Sequence, residues 1–537
     1  MCDTHIIWIK LLLCSITDIF DEEIDRYYYG VQKSDLFIAE GQILIVEYAT
    51  NSCHKDGIAP CLLTVDPRDI ATLTPKFLST VFKHFKNDIP DSNWDLKLHL
   101  AITMVRGILQ RGKHKTIEKQ QKLLAKAHIP SPPSISIKKA IVPETCRSQA
   151  EDIMAGLLSG QEEKVGWRWK EDPMKQNPIK GEWIEAKNRK KITSADRVIL
   201  YIHGGAYFMG SAAQHRFLIQ RVAKAGAARA FSFDYRLAPQ SPFPAAVVDT
   251  LAAYFYLIQP PADAGFDPIS PKNIVVMGDS AGGGLALSIM LVLRDAGLPQ
   301  PAGAACWSPW VDLFHSLPSI FSNASTDYIP NGFVNKASPA NPIKDYTNVK
   351  ERLERVQYYA YNSALSIPYV SPILADDLGG LGEIFITCGN GERLRDEAIL
   401  FSHKASKTHP EVFECKKPGV RAFPPTKVSL NIYEAMPHVF QLFLFHPAAS
   451  NAMKRTGAFI RKIIPEPTND SSSSSSHSSF SSIYSNSSSR CYYHREKEVS
   501  RNCKRTNDML DEGTLREWAN MLGKFPDLKL HPEFMDV

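Results

Sequence analysis

The most regular feature of the chain is a series of short apolar runs that alternate with amphipathic stretches of helical spacing. Runs of this length, bounded by polar and turn-forming residues, are typical of buried strands. Strands that alternate with helices predict an α/β fold with a mostly parallel central sheet covered by helices on both faces. The predicted strands span 134–142, 181–185, 197–202, 228–233, 273–277, 303–307, 383–387 and 428–433.

The residues before this alternation follow a different pattern. Apolar residues spaced by three and four positions predict helices over 75–82 and 94–109, and a more polar helix over 116–127. Prolines then end the helical region. The resulting plan has four parts: a segment of unknown role (1–65), a helical region (66–130), an α/β core (131–465) and a tail (466–537).

The tail combines a low-complexity stretch with one predicted helix. Residues 471–489 are mostly serine, and we expect disorder there because such a segment buries little apolar surface. Residues 514–517 fit a capping box, and the apolar face behind it carries Leu515, Trp518 and Leu522. That face could bind a partner or a membrane surface. Alternatively, the helix could pack back on the domain or belong to an inert tail.

Composition excludes several classes of protein. The hydrophobic content of 44% and charged content of 22% are ordinary for a soluble protein, and a net charge of +5 does not indicate nucleic-acid binding. The ten cysteines form no CxxC pair, which favours reduced thiols and an intracellular location, either cytoplasmic or peripheral to an internal membrane such as the endoplasmic reticulum. The nearest approach to a membrane span, residues 6–16, is short and contains Lys10.

Residues 278–282, Gly-Asp-Ser-Ala-Gly, lie between a predicted strand and a predicted helix and match the turn that presents a nucleophilic serine. A serine hydroxyl needs a base to remove its proton. His438 is the preferred base for Ser280, because it follows the last strand and the order serine, acid, histidine is then kept. The histidines weighed against it are His203, His215, His403, His409 and His446.

The acid that orients the histidine should follow the strand at 383–387. Glu392 lies in the turn directly beyond that strand and is the preferred acid, with Asp396 as the alternative. Backbone N–H groups of Gly204, Gly205 and Ala281 are the candidate donors to the oxyanion of the tetrahedral intermediate. This chemistry needs neither a metal nor a cofactor.

Together these motifs resemble the hormone-sensitive-lipase-like family of α/β-hydrolases, most closely fungal esterases of the steryl acetyl hydrolase type. The resemblance implies an α/β-hydrolase fold with an N-terminal helical cap, and a triad of Ser280, Glu392 and His438. It also implies that Tyr207 and Trp307 either line the substrate pocket or belong to the core. It rests on residues 203–207, 234–239, 278–283, 392–397 and, for the fungal group, 94–97 and 308–313.

The chain departs from the family pattern at Ala206, where a third glycine is usual, at Gln240-Ser241, and in a polar insertion over 407–426. The expected reaction is hydrolysis of a small hydrophobic ester, with a short acyl group on an alcohol such as a sterol. The alternatives are an amide or formamide hydrolase with the same triad and a non-catalytic ligand-binding relative. Peripheral contact with a membrane is compatible with each of them, and the oligomeric state is left open.

Overall fold

Complete burial of the central strands explains their apolar sequences. The computed structural model describes residues 35–39, 42–46, 67–112, 116–126, 131–187, 196–330, 357–413, 421–466, 492–493 and 511–524. Every residue in four strands, 198–202, 229–233, 274–279 and 303–307, is buried. Strands covered by helices on both faces show continuous rather than alternating hydrophobicity, and the sequence has that pattern at these positions.

The strands and helices follow one another along the chain much as the hydrophobic pattern predicts. The described strands are β1 (Asp35–Ala39), β2 (Gln42–Val46), β3 (Ile135–Val142), β4 (Ile179–Ala186), β5 (Val198–Ile202), β6 (Arg229–Phe233), β7 (Ile274–Asp279), β8 (Gly303–Trp307), β9 (Glu383–Gly389), β10 (Val428–Tyr433) and β11 (Tyr492–Tyr493). The described α-helices are α1 (Pro67–Phe85), α2 (Leu96–Gly112), α3 (Ile117–Lys126), α4 (Glu144–Leu157), α5 (Glu162–Val165), α6 (Ala212–Gly226), α7 (Ala245–Ile258), α8 (Ala281–Asp295), α9 (Ser319–Ser322), α10 (Arg395–Ser406), α11 (Pro410–Phe413), α12 (Pro447–Ile463) and α13 (Glu512–Met521).

Nine of the described strands form one sheet in the order β11-β10-β9-β8-β7-β5-β6-β4-β3. The neighbours from β11 to β6 are parallel, whereas β4 pairs antiparallel with both β6 and β3. Ile202 of β5 is in register with Gly278 of β7. The loops that leave these two strands therefore emerge side by side at the carboxyl edge of the sheet, where α/β proteins place their reactive groups.

Two hydrophobic cores cover the sheet. One contains residues of α4, α7, α8 and α10, and the other contains residues of α6 and α12. Helix α8 is buried from residue 281 to residue 293, which explains its nearly continuous apolar sequence. The predicted α/β-hydrolase fold, a mostly parallel sheet flanked by helices, is confirmed.

The chain divides into two compact units. One comprises Met1–Ile89 with Ala127–Ile129, and the other comprises Pro90–Lys126 with Pro130–Val537. The helices predicted as a cap over 66–130 are thereby split, with α1 in the first unit and α2 and α3 in the second. Much of 1–65 and all of 471–489 lie outside the described residues. None of the helices in the described part of the chain is long and apolar enough to cross a membrane.

Helix α13 packs against the core of the second unit, to which it belongs. Leu515 is completely buried and Trp518 is 7% exposed, and both join the core that contains α8 and α10. Asp511 caps the helix by accepting a hydrogen bond from the Thr514 N–H at 2.7 Å. Of the roles considered for this apolar face, the structure shows packing against the domain.

Candidate active site

Ser280 occupies the sharp turn between β7 and α8. Its backbone has φ 54° and ψ −121°, a conformation that costs a non-glycine residue about 1–3 kcal/mol. Three backbone hydrogen bonds hold it there: the Ser280 N–H donates to the Trp307 carbonyl at 2.9 Å, and its own carbonyl accepts from Gly284 and Trp310, each at 3.0 Å. The side chain is thereby directed away from the strand and remains partly exposed.

The glycines beside Ser280 are required by close backbone contact. A Cβ atom at Gly282 would lie 2.1 Å from the Ile202 carbonyl oxygen, and one at Gly278 would lie 2.3 Å from the Gly282 carbonyl carbon. Neither neighbour is a flexible side chain, so any larger residue would push strand and helix apart. The sequence pattern around the serine thus follows from the packing of β7, α8 and the end of β5.

His438 lies in the loop after β10, with its Nε2 atom 2.9 Å from the Ser280 Oγ atom. His438 is 4% exposed. This distance is within hydrogen-bond range and suits proton transfer from the serine hydroxyl to the ring. The other ring nitrogen then carries a proton and faces Glu392.

Glu392 is completely buried in the turn after β9. Its Oε1 atom lies 3.9 Å from His438 Nδ1, an ion-pair distance longer than a hydrogen bond, and neither atom has another hydrogen-bond partner. The Oε2 atom accepts hydrogen bonds from the Ser308 hydroxyl at 2.6 Å and the Gly389 N–H at 2.9 Å. The carboxyl group is therefore fixed on one side and directed at the imidazole on the other.

Burial and charge act in opposite directions at this pair. Burial raises the pKa of Glu392 above its ordinary value, opposed by contacts with His438 and Ser308 and by the Gly389 N–H. Burial alone would lower the pKa of His438, but the carboxylates of Glu392, Asp327 and Asp279 outweigh it and raise that pKa. The site thus stabilises the imidazolium form that a base acquires when it takes a proton from serine.

The two carboxylates that follow Glu392 are used elsewhere. Asp396 accepts hydrogen bonds from the Ser319 N–H and from Arg395 Nε, each at 2.8 Å. Glu397 accepts from the Val311 N–H at 2.6 Å, and burial, reinforced by the charge of Asp312, holds its pKa well above the usual range. Asp396, the alternative acid, therefore holds the first residue of α9 instead of facing His438.

His203 supports the loop that follows β5. Its ring stacks on Tyr235, with centroids 4.2 Å apart, and its Nδ1 atom lies 2.8 Å from the Gly204 carbonyl oxygen. Burial, together with nearby His215, lowers its pKa to about 3. A buried neutral ring in this position explains why His203 is not the base. Tyr235 also donates to the His203 carbonyl at 3.0 Å, consistent with a structural role for the turn at 234–236.

In the loop after β5, one of the three predicted oxyanion donors, the Gly204 N–H, is already occupied. The Gly204 N–H donates to Asp279 Oδ1 at 3.2 Å, and Gly204 is buried, so this group is not free to bind an oxyanion. Gly205 and Ala206 are partly exposed, and their N–H groups make no hydrogen bond within the described part of the chain. The Ala281 N–H belongs to the first turn of α8, where no intrahelical acceptor exists. Gly205, Ala206 and Ala281 are thus the available donors.

Neither predicted pocket residue faces an open pocket. Trp307 is completely buried, and its indole N–H donates to Thr456 Oγ1 at 3.0 Å on α12. Tyr207 is 1% exposed and stacks on Tyr359 with ring centroids 3.7 Å apart. For Trp307 the pocket alternative is wrong, because its side chain fills the core between the sheet and α12. Tyr207 is packed among aromatic side chains close to α8.

The remaining histidines that were weighed as bases have other partners. His215 contacts Asp279, and His403 contacts Thr408. His409 contacts Glu411, and His446 accepts a hydrogen bond from the first turn of α12.

Two polar residues at the site were missed by the sequence reasoning. The Ser308 hydroxyl donates to Glu392 and accepts from the Val439 N–H at 3.0 Å, so it joins the acid to the histidine loop. Asp327 is completely buried and accepts from the His438 N–H at 3.2 Å. Ser308 could have been noticed, since it directly follows β8 at the edge where the reactive groups gather. Asp327 lies in an irregular segment that shows no comparable signal.

The fold and the site's architecture define the class of protein. A serine on a strand-to-helix turn of a mostly parallel sheet, with an acid and a histidine after later strands, is the arrangement of the α/β-hydrolases. A family model described as alpha/beta hydrolase fold matches residues 199–420. The chain belongs to this family, and it is a carboxylic ester hydrolase.

Two relatives with known names agree with this assignment. An acetyl-hydrolase from Streptomyces hygroscopicus is 31% identical over 269 residues, which cover 49% of this chain and 75% of the relative. An esterase from Acinetobacter venetianus is 28% identical over 288 residues, covering 53% and 80%. The crystal structure of an esterase from the bacterial hormone-sensitive lipase family is 28% identical, with a TM-score of 0.47 and coverage of 69% and 99%.

Proposed function

We propose that Ser280, His438 and Glu392 form the catalytic triad of this ester hydrolase and that its substrates carry short acyl groups on a hydrophobic alcohol, such as acetylated sterols. The observation that carries the triad is the 2.9 Å contact between Ser280 Oγ and His438 Nε2, with the buried Glu392 carboxylate on the far side of the ring. Both the nucleophile and the oriented base are thus in place before substrate binds.

The reaction follows from this geometry in two steps. Ser280 Oγ attacks the ester carbonyl while His438 takes its proton, and the negative charge on the oxygen is stabilised by N–H groups of Gly205, Ala206 and Ala281. The imidazolium then gives its proton to the departing alcohol, which leaves an acyl-enzyme. Water, deprotonated by His438, attacks this ester and releases the acid, and Ser280 regains its proton.

Two observations support a short acyl group. The relative from Streptomyces hygroscopicus is named an acetyl-hydrolase. In this chain, the first turn of α8, which begins directly after the nucleophile, is closely packed: a Cβ atom at Gly284 would lie 2.7 Å from the Tyr207 hydroxyl and 2.2 Å from the Trp310 backbone carbonyl oxygen. Close packing beside the nucleophile favours small acyl groups over long ones.

The test compares p-nitrophenyl acetate, p-nitrophenyl palmitate, a steryl acetate and p-nitroacetanilide with purified protein. We expect cleavage of both acetate esters, little cleavage of the palmitate and none of the anilide. Ser280→Ala should abolish turnover, whereas Ser288→Ala, which removes a buried hydroxyl on the same helix, should not. Equal activity on palmitate would overturn the acyl preference, and an active Ser280→Ala variant would overturn the nucleophile.

A further inference from the structure

The loop that carries His438 contains strained backbone conformations, which contacts from outside the loop must stabilise. Between the end of β10 and the first residue after His438, two non-glycine residues adopt left-handed conformations, Ala435 at φ 61° and Val439 at φ 40°. Each costs free energy that the surroundings must offset. The contacts that hold this loop therefore decide where the imidazole lies.

One of these contacts comes from the segment of residues 94–112, which contains α2. The indole N–H of Trp94 donates to the Ala435 carbonyl at 2.6 Å, across 341 positions of sequence. Trp94 is 3% exposed and packs against His99. This hydrogen bond holds the loop at one of its two strained residues, three positions before His438.

A second contact holds the histidine itself. The buried carboxylate of Asp327 accepts from the N–H groups of His438 at 3.2 Å and Tyr328 at 2.7 Å through Oδ1. Its Oδ2 atom accepts from the Arg393 N–H at 2.7 Å, next to the acid Glu392. Asp327 thus spans the loops that bear the base and the acid.

The segment 94–112 reaches Asp327 as well. Arg106 of α2 donates through Nε to the Asp327 carbonyl at 3.1 Å and through Nη2 to the Ser325 carbonyl at 2.8 Å. Through Trp94 and Arg106, one segment therefore contacts both structures that hold the histidine loop.

We infer that Trp94 and Asp327 are positioning residues for His438, and that Arg106 ties Asp327 to the same segment as Trp94. The inference rests on the proposed role of His438 as the base. Trp94 acts on the loop's position alone, since its indole is uncharged. Asp327 acts on position and also on charge.

The groups that face His438 come from several elements. The carboxylates are Glu392 after β9, Asp327 after α9 and Asp279 at the end of β7, and all three raise the imidazole pKa. The Tyr328 ring lies 5.9 Å from the imidazole, edge-on. Arg393 and Arg106 act near Asp327 and oppose its charge in part. Removal of the Asp327 charge should therefore lower the pKa of His438 while the Glu392 contact remains.

The first experiment compares Trp94→Phe with Trp167→Phe. Each removes one indole N–H that donates to a carbonyl, in the second case that of Phe243 at 2.7 Å, and each keeps an aromatic ring. We expect Trp94→Phe to lower kcat on p-nitrophenyl acetate about 10-fold with KM unchanged, less than the ~10²–10⁴ contributed by a general base. The control should keep wild-type kcat. Melting temperatures of both variants show that the folded fraction is not the cause.

The second experiment compares the pH profiles of Asp327→Asn and Asp396→Asn, two buried aspartates of which only the first contacts His438. The base must be neutral to act, so the acid limb of kcat/KM marks the pKa of His438 in the free enzyme. We expect Asp327→Asn to move this limb to lower pH by roughly 0.5–1 unit, because a nearby carboxylate is lost. The limb of Asp396→Asn should stay in place.

If Trp94→Phe keeps wild-type kcat, or if it loses no more activity than Trp167→Phe, the inference is wrong. If the acid limb of the kcat/KM profile of Asp327→Asn coincides with that of the wild-type enzyme, the role inferred for Asp327 is wrong. Should Asp327→Asn fail to fold, the Trp94→Phe result decides alone. Labelling of Ser280 by a fluorophosphonate keeps the two proposals separate: wild-type protein that is neither labelled nor active on esters would overturn the proposed function itself.

Discussion

Single residues at this site are stabilised by groups that take no part in the chemistry. Glu392 is completely buried, and half of its carboxylate is satisfied by Ser308 and Gly389. A buried carboxylate with such fixed partners can orient the imidazole and stabilise its charge without moving during the reaction. The remaining oxygen, without a hydrogen bond of its own, is available to His438.

Replacement of Glu392 by glutamine should test this role directly. The amide keeps the size of the side chain but loses the charge that raises the pKa of His438. We expect kcat/KM to fall by at least ~10²-fold, in line with the large effect of the equivalent change in serine hydrolases. The acid limb of the pH profile should also move to lower pH. Both quantities come from initial rates on p-nitrophenyl acetate.

Asp396→Asn is the matched comparison, since Asp396 is equally buried and lies four positions later. It should leave the pH profile unchanged and act, if at all, on stability. A larger rate loss in Asp396→Asn than in Glu392→Gln would transfer the role of the acid to Asp396.

Sequence reasoning could identify the site residues whose role follows from their position along the chain. Ser280, Glu392 and His438 each follow a strand of the parallel sheet, and the carboxyl ends of such strands meet. The direction of a side chain or an N–H group cannot be inferred in this way. Trp307 ends a strand but faces the core, and the Gly204 N–H bonds to Asp279, because these details depend on three-dimensional packing.

At the level of elements, the turn from β7 into α8 is tightly constrained. Its strained serine requires the strand, the helix and the end of β5 to meet without intervening side chains. Among the glycines of this turn, Gly282 has the closest contact: an added methyl carbon would lie 2.1 Å from the Ile202 carbonyl oxygen.

Gly282→Ala should therefore destabilise the protein by roughly 3 kcal/mol or more, because backbone atoms must move to admit the methyl group. Chemical denaturation measures the change. Gly156→Ala is the control: it lies in α4 with nothing within 4 Å of the added Cβ atom. There alanine should stabilise the helix by about 0.5–1 kcal/mol. Wild-type stability in Gly282→Ala would contradict the packing described here.

The elements themselves were largely accessible from the sequence. The predicted strand 303–307 coincides with β8 and 428–433 with β10, since buried parallel strands are continuous apolar runs between turns. Where the other strand ends differ, they do so by one or two residues; β7, for instance, continues through Gly278 into Asp279. Backbone pairing extends past the apolar run there, so the hydrophobic pattern does not predict the end of the strand.

For the whole molecule, helix α13 is the element that adds to the hydrolase core from far along the chain. Trp518→Ala should lower the free energy of unfolding by at least about 2 kcal/mol, or detach α13 so that proteases cleave it, because a buried indole leaves the core. The kcat on p-nitrophenyl acetate should be unchanged, since α13 contacts α10 and α11, not the triad.

Glu517→Ala provides the comparison, because Glu517 is exposed on the opposite side of the same helix. It should have the stability of wild type and the same resistance to proteolysis. If Trp518→Ala also behaves like wild type in both measurements, α13 is not docked in solution.

Because α13 and the surface it covers belong to one polypeptide, their association is unimolecular. Such a tether raises the effective concentration of the helix at its docking surface, so even a weak intrinsic affinity keeps the helix bound. A single cut between residues 493 and 511, beyond β11, would remove that advantage. At protein concentrations below its intrinsic Kd the helix would then dissociate by dilution and expose the apolar surface around Leu515 and Trp518, although every side chain in the contact would be unchanged.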